Sequence, residues 1–224
     1  MGDVFKDQDA YTEAIAHYEE ALEIFRDIGD RREEHLAGKE LGNVAVYAGQ
    51  FERARHFFEE ALVAFREIGD RQSERSTLNR LGLLYHLWGD AEAARANSQA
   101  ALEIAQEIGD RWLQASSHTK LGHGQTGLGQ SAAAAESYRR GVALWRELGR
   151  PDLALESVAG LARIALDRGD LSQAMAYAEE MLAQFADDNF PNDGMAEEFS
   201  ICYRVLRAAE DARAAAVLQE VHSQ

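Results

Sequence analysis

ALEIFRDIGDR at residues 21–31, ALVAFREIGDR at 61–71 and ALEIAQEIGDR at 101–111 are one phrase written three times, and VALWRELGRPD at 142–152 is a worn fourth copy. The Gly-Asp-Arg punctuation recurs every 40 residues. A fixed period of this length means stacked supersecondary units, each burying its apolar face against its neighbours. A second mark falls midway, at Asp9-Ala10, Gly49-Gln50, Gly89-Asp90, Gly129-Gln130 and Gly169-Asp170. Each unit therefore divides into two segments joined by tight turns.

Within the segments the apolar spacing is helical. Ala54, Phe57, Phe58, Ala61, Leu62, Phe65 and Ile68 recur at three- and four-residue steps and mark one buried stripe. Glycine at the end of the second segment supplies the left-handed conformation of a helix C-terminus, and the Asp that follows caps the next helix. Asp30 with Glu33 reads as a capping box. There is no alternating strand pattern and there are only two prolines, so the fold class is all-α.

Two columns identify the helical hairpin. Gly2, Gly42, Gly82, Gly122, Ala162 and Cys202 hold one place in the first helix, preceded by Leu41, Leu81, Leu121, Leu161 and Ile201. The second helix keeps Ala14, Ala54, Ala94, Ala134, Ala174 and Ala214. Small side chains there let paired helices approach closely, and the pattern resembles the tetratricopeptide repeat (TPR). The long period is similar to the repeats of spindle-orientation adaptors, kinesin light chains, peptide-sensing bacterial regulators and signal-transduction ATPases. The resemblance implies a right-handed α-solenoid of antiparallel helix pairs, about five and a half repeats long. It divides the chain into a partial repeat at 1–30, four repeats at 31–70, 71–110, 111–150 and 151–190, and a capping hairpin at 191–224. That last hairpin is expected over 195–208 and 211–222, after a loop at 187–194. Gly2 falls in the small column, so the chain reads as a domain cut from a longer protein, starting midway through a helix.

Composition narrows the function. With 46% hydrophobic and 28% charged residues over 224 positions, the chain reads as folded and soluble. Its apolar runs are short and broken by charge, and residues 1–6 form neither a signal peptide nor a myristoylation site. A cytoplasmic setting and no membrane partner are the expectation. A net charge of −16 argues against general nucleic-acid binding. The charge is uneven, because residues 111–150 carry six basic residues against two acidic ones. Cys202 is the only cysteine, which rules out an internal disulfide or a cysteine-cluster metal site and leaves a core-packing role.

LGHGQTGLGQ at 121–130 contains the Gly122-x-Gly124-x-x-Gly127 spacing of a dinucleotide-binding loop. No strand precedes it, and Gly122 and Gly129 are ordinary repeat positions, so the fingerprint lacks its context. Gly124 and Gly127 should weaken the helix by about 1 kcal/mol each relative to alanine. A locally soft helix is expected there. His118 and His123 are five apart and do not share a helix face for a metal. Glu59-Glu60 and Glu179-Glu180 read as solubilising charge, and no nucleophile and base can be assembled by spacing. No catalytic residue, metal site or cofactor is expected.

Stacked hairpins commonly use a concave face lined by their first helices. The resemblance places there Lys39, Glu40, Asn43, Val46 and Tyr47, then Asn79, Arg80, Leu83, His86 and Leu87. Later repeats add Ser116, Thr119, Lys120, His123, Thr126, Gly127, Glu156, Arg163 and Asp167. Lys39, Asn43, Tyr47, Asn79, Arg80, His86, Lys120, His123 and Arg163 are the candidate peptide contacts, with cations pairing carboxylates and Asn amides meeting main chain. Carboxylate-clamp TPRs offer a partial parallel. Lys39, Asn43 and Lys120 match it, while Arg80 and Ser116 depart from it. The leading expectation is a module binding a protein or peptide, an acidic one included, as sensor or scaffold of a larger bacterial signalling protein. The alternative is an autoinhibitory or oligomerisation domain of a signal-transduction ATPase or transcription regulator, acting through convex or end surfaces. Oligomeric state is open.

Overall fold

A computed structural model describes the backbone at residues 2–185 and 196–217, and side chains at 13–185 and 197–217. Among these residues every regular element is helical. The chain forms two compact units, Met1–Gly109 and Asp110–Gln224. The first holds α1 (Gly2–Ile28), α2 (Arg31–Tyr47), α3 (Phe51–Ile68), α4 (Arg71–Trp88) and α5 (Ala91–Ile108). The second holds α6 (Arg111–Gly127), α7 (Ser131–Glu147), α8 (Leu155–Asp167), α9 (Leu171–Phe185) and α10 (Ala196–Ala208), with one 3₁₀ turn, Pro151–Ala154, leading into α8. Within each unit consecutive helices pack as antiparallel pairs.

The turn glycines do what the repeat requires of them. Gly29, Gly69 and Gly109 have φ of 76°, 73° and 74°, where a Cβ would cost about 1–2 kcal/mol. Asp30, Asp70 and Asp110 then accept from the backbone N–H of Glu33, Ser73 and Leu113, satisfying a free donor of the next helix. The capping box at Asp30 is only half made. The Glu33 carboxylate takes Arg32 instead, because the Asp30 N–H is already donated to Phe25 O. Gly69→Ala should lower the urea midpoint of unfolding by an amount worth about 1 kcal/mol, and Gly69→Asn by less.

One expected turn is absent. At Asp9-Ala10 helix α1 runs straight on. The other midway marks each hold a glycine at positive φ, Gly49, Gly89, Gly129 and Gly169; Asp9-Ala10 has none, so nothing there opens the backbone into the left-handed region. The loop expected at 187–194, and residues 218–222 of the last hairpin, lie outside the described residues.

Close approach explains the small columns. Ala54, Ala94, Ala134 and Ala174 are all fully buried. A Cβ on Gly42 would stand 2.6 Å from the Phe58 ring, and one on Gly82 would stand 2.5 Å from Ser98 Oγ. Cys202 is buried as expected, and burial pushes its thiol up to about 12. Outside the core, Arg31 pairs with Glu67 and Arg71 with Glu107 in the first unit; Arg111 pairs with Glu147 in the second. The carboxylates read as solubilising charge are also engaged. Glu179 holds Arg213, Glu180 holds Arg146, and Glu59 accepts from the Tyr85 hydroxyl.

Candidate functional site

The first unit presents two parallel stripes. Glu40, Asn43 and Tyr47 on α2, and Arg80, Leu83 and Leu87 on α4, each fall at i, i+3 and i+7, which is one helix face. Glu40 accepts from Asn43 Nδ2 at 2.8 Å and pairs with Lys39 Nζ at 3.3 Å. Lys39 is therefore neutralised where it stands, with its side chain only 13% exposed. Tyr47 and Leu87 are open, 64% and 51% exposed. Asn79, Arg80, Leu83 and His86 are half-buried, and Asn79, His86 and Tyr47 make further interactions of their own. Val46 turns into the core instead.

The second unit is closed by a polar network. Lys120 Nζ donates to Glu156 Oε1 at 2.6 Å, and His123 Nε2 meets the same oxygen at 2.8 Å. His123 Nδ1 lies 2.9 Å from the Tyr138 hydroxyl, which is also 3.3 Å from Thr126 Oγ1. Burial raises Glu156, but Lys120 and His123 outweigh it and hold its carboxyl well below the usual range. Burial pushes the Tyr138 hydroxyl up to about 12, so it stays a donor. An ionised Glu156 can only accept, so His123 donates to it from Nε2. His123 is 4% exposed and Thr119 2%, so both belong to the interior, and Thr119 shares a hydroxyl hydrogen bond with Ser157 at 2.8 Å. Arg163 donates to Glu197 Oε1 at 3.0 Å. Ser116 and Thr126 are half-buried, and Gly127 and Asp167 are exposed.

The glycine-rich stretch has a packing role. Helix α6 continues through Gly124 to Gly127, and Gly124 is buried. A Cβ on Gly122 would stand 2.5 Å from Tyr138 Cε1, and one on Gly160 would stand 2.5 Å from the other edge of the same ring. Gly122 is small because Tyr138 sits against it. His118 is buried and, through burial and the nearby Arg140, pulled down to about 4. Its Nδ1 has no hydrogen-bond partner among the described residues. Among the described residues no group of three or more His, Cys, Asp or Glu could hold a metal ion, and no helix is long and apolar enough to cross a membrane.

Spacing could not reveal the Tyr138, His123 and Glu156 network, because its members lie 15 and 33 residues apart. A register signal for its centre does exist. Tyr138 stands two periods after Phe58, the ring that fills the space beside Gly42.

Two helical columns, left-handed glycines between them and small residues where helices touch define a tetratricopeptide array. The family model for the tetratricopeptide repeat matches residues 1–62, 34–107 and 73–147, and the chain belongs to that family. Solved structures share the fold at low identity. BtubC (BKLC) from P. vanneervenii is 20% identical with a TM-score of 0.76, covering 96% of this chain and 90% of that one. A Rap protein solved in complex with Competence and Sporulation Factor is 16% identical with a TM-score of 0.69, covering 98% and 70%. A signal transduction ATPase from Pyrococcus horikoshii with a tetratricopeptide repeat sensor is 18% identical with a TM-score of 0.61, covering 93% of this chain and 35% of that one. No curated protein matches the sequence. The fold is typical of protein-interaction modules.

Proposed function

We propose that the chain is a protein-interaction module that binds a peptide or protein segment on the inner faces of its helix pairs. Its partner is a protein rather than nucleic acid or a membrane, and its setting is the sensor or scaffold part of a cytoplasmic bacterial signalling protein. The observation that carries this reading is the face of α2 and α4. Tyr47 and Leu87 lie open there, 64% and 51% exposed, beside the amides Asn43 and Asn79 and the cation Arg80. Exposed apolar side chains among hydrogen-bonding groups are the makings of a peptide contact. The Rap complex and the ATPase sensor use the same fold, which supports the reading. Lys39, Lys120, His123 and Arg163 act in it through the carboxylates they hold, setting the shape of each face.

A second reading has its own observation. Ile28, Ile68 and Ile108 recur at one place in the first unit and are 67%, 46% and 46% exposed, which would serve autoinhibition or self-assembly through an outer edge. A photo-crosslinking benzophenone amino acid at Tyr47, and separately at Ile68, separates the two readings in cells. Adducts with a partner from position 47 and none from position 68 are expected. The reverse pattern would replace inner-face binding with the edge reading.

A further inference from the structure

The charges of the inner faces are not equivalent. Lys39 lies against Glu40, Lys120 against Glu156 and Arg163 against Glu197. Arg80 has no carboxylate or hydrogen-bond acceptor among the described residues. In the sequence, Lys120 has Glu156 thirty-six residues on, whereas the residue at that offset from Arg80 is an uncharged serine. Most of the Arg80 surface is covered, yet its guanidinium, which carries five donors in a planar fork, is left for a ligand.

The surroundings define the ligand further. Leu83 and Leu87 continue the stripe of Arg80 along α4, and Tyr47 stands at the end of the parallel stripe on α2. Cation and apolar ridge run in line over two helical turns, about 10 Å. No acidic side chain interrupts the α4 stripe. On α2, Glu40 is already committed to Lys39 and Asn43.

We infer that Arg80 is the anchor for an acidic side chain of a bound peptide, an Asp or Glu that has apolar residues beside it to lie on Leu83, Leu87 and Tyr47. The inference rests on the inner-face reading above and names its ligand chemistry. A guanidinium binds a carboxylate through two parallel N–H donors, which gives direction as well as charge. The chain as a whole, with a net charge of −16, repels an acidic ligand, so a cation without a carboxylate partner is what gives such a ligand a place to bind.

The test is fluorescence anisotropy of the full chain with labelled mixtures of short peptides, acetylated and amidated at their ends. Each mixture has one central residue fixed as Asp, Asn or Lys, and Ala, Ser, Leu and Phe at random elsewhere. A fourth mixture fixes Asn and leaves the C-terminal carboxylate free. The Asp mixture should bind roughly tenfold tighter than the Asn mixture, the worth of one charge-assisted pair. Arg80→Gln should erase that difference, Arg80→Lys should keep part of it, and Arg95→Gln, on α5, where Arg95 pairs with Glu92, should keep all of it. Circular dichroism checks that each variant is folded. Equal binding of the Asp and Asn mixtures, or an Asp preference that survives Arg80→Gln, overturns the assignment of Arg80 and leaves the inner-face reading standing. A preference confined to the free-terminus mixture overturns the acidic side chain as the ligand. Failure of every mixture to bind overturns both readings.

Discussion

Tyr138→Ala should cost about 3–5 kcal/mol of unfolding free energy, the range for deleting a buried aromatic side chain. The ring is fully buried between Gly122 of α6 and Gly160 of α8, and its hydroxyl is the inner end of the chain running through His123 to Glu156. Removing it opens a cavity at the meeting of three helices and strips His123 Nδ1 of a partner. Tyr138→Phe removes the hydroxyl hydrogen bonds alone and should cost about 0.5–1.5 kcal/mol, the net worth of a hydrogen bond. Gly122→Ala approaches from the other side. Its Cβ would overlap the ring edge, for about 1–3 kcal/mol of overpacking. In the Tyr138→Ala background that overlap vanishes, so the double mutant should be more stable than the sum of the singles predicts by about 0.5–3 kcal/mol. Urea titrations of the four proteins give the cycle. Strict additivity would mean that the ring is not seated against Gly122.

Glu198→Gln should stabilise the protein at pH 8 by about 2–3 kcal/mol and leave it unchanged at pH 4. Glu198 lies on α10 and is 7% exposed. Burial, reinforced by the neighbouring carboxylates Glu156 and Glu197 and only partly relieved by Lys120, pushes its carboxyl from 4.5 to about 7. An acid with a raised folded pKa binds more protons when folded than when unfolded, so stability falls as pH rises from 4.5 to 7 and is flat above. Glutamine keeps the shape and cannot ionise, which removes that descent. His118 works in the opposite sense. Its folded value of about 4 lies below the ordinary 6.5, so its contribution is lost as pH falls through that window. Between pH 4.5 and 6.5 the two slopes oppose each other, so the wild-type profile should be nearly level there, and Glu198→Gln should uncover the rise that His118 supplies. Thermal melts across pH 4–8 measure this, and a variant profile that parallels the wild type would place the Glu198 carboxylate in contact with water.

The helices and their ends were legible because their causes are local. Glycine punctuates, aspartate caps, and three- and four-residue apolar steps mark the buried side. The continuous α1 shows the limit of that reading. The period predicted a turn at Asp9-Ala10, but the period only says where a turn would fall, and the residue that makes one is missing. The candidate faces were harder to read for a different reason. The sequence placed Lys39, Lys120 and Arg163 as available cations, yet each is held by a carboxylate whose approach depends on how helices pack. His118 and Glu198 share a column with Leu78 and Val158, and the repeat forces them into the same buried slot. Following that column would have exposed both. Tyr138 is the same lesson, since its ring occupies the place of Phe58.

The pairs Arg31 with Glu67, Arg71 with Glu107 and Arg111 with Glu147 are exposed, and water and salt screen each of them. Their importance lies in bookkeeping between copies. Every such pair takes its arginine from the start of one hairpin and its glutamate from the end of the same hairpin, at one constant offset. Duplicating or deleting one whole period of coding sequence, wherever the breakpoints fall among these copies, rejoins an arginine to a glutamate at that offset and leaves no orphan charge. Unequal recombination can therefore change the length of this array without stranding one of these charges at the joint, in steps of one hairpin.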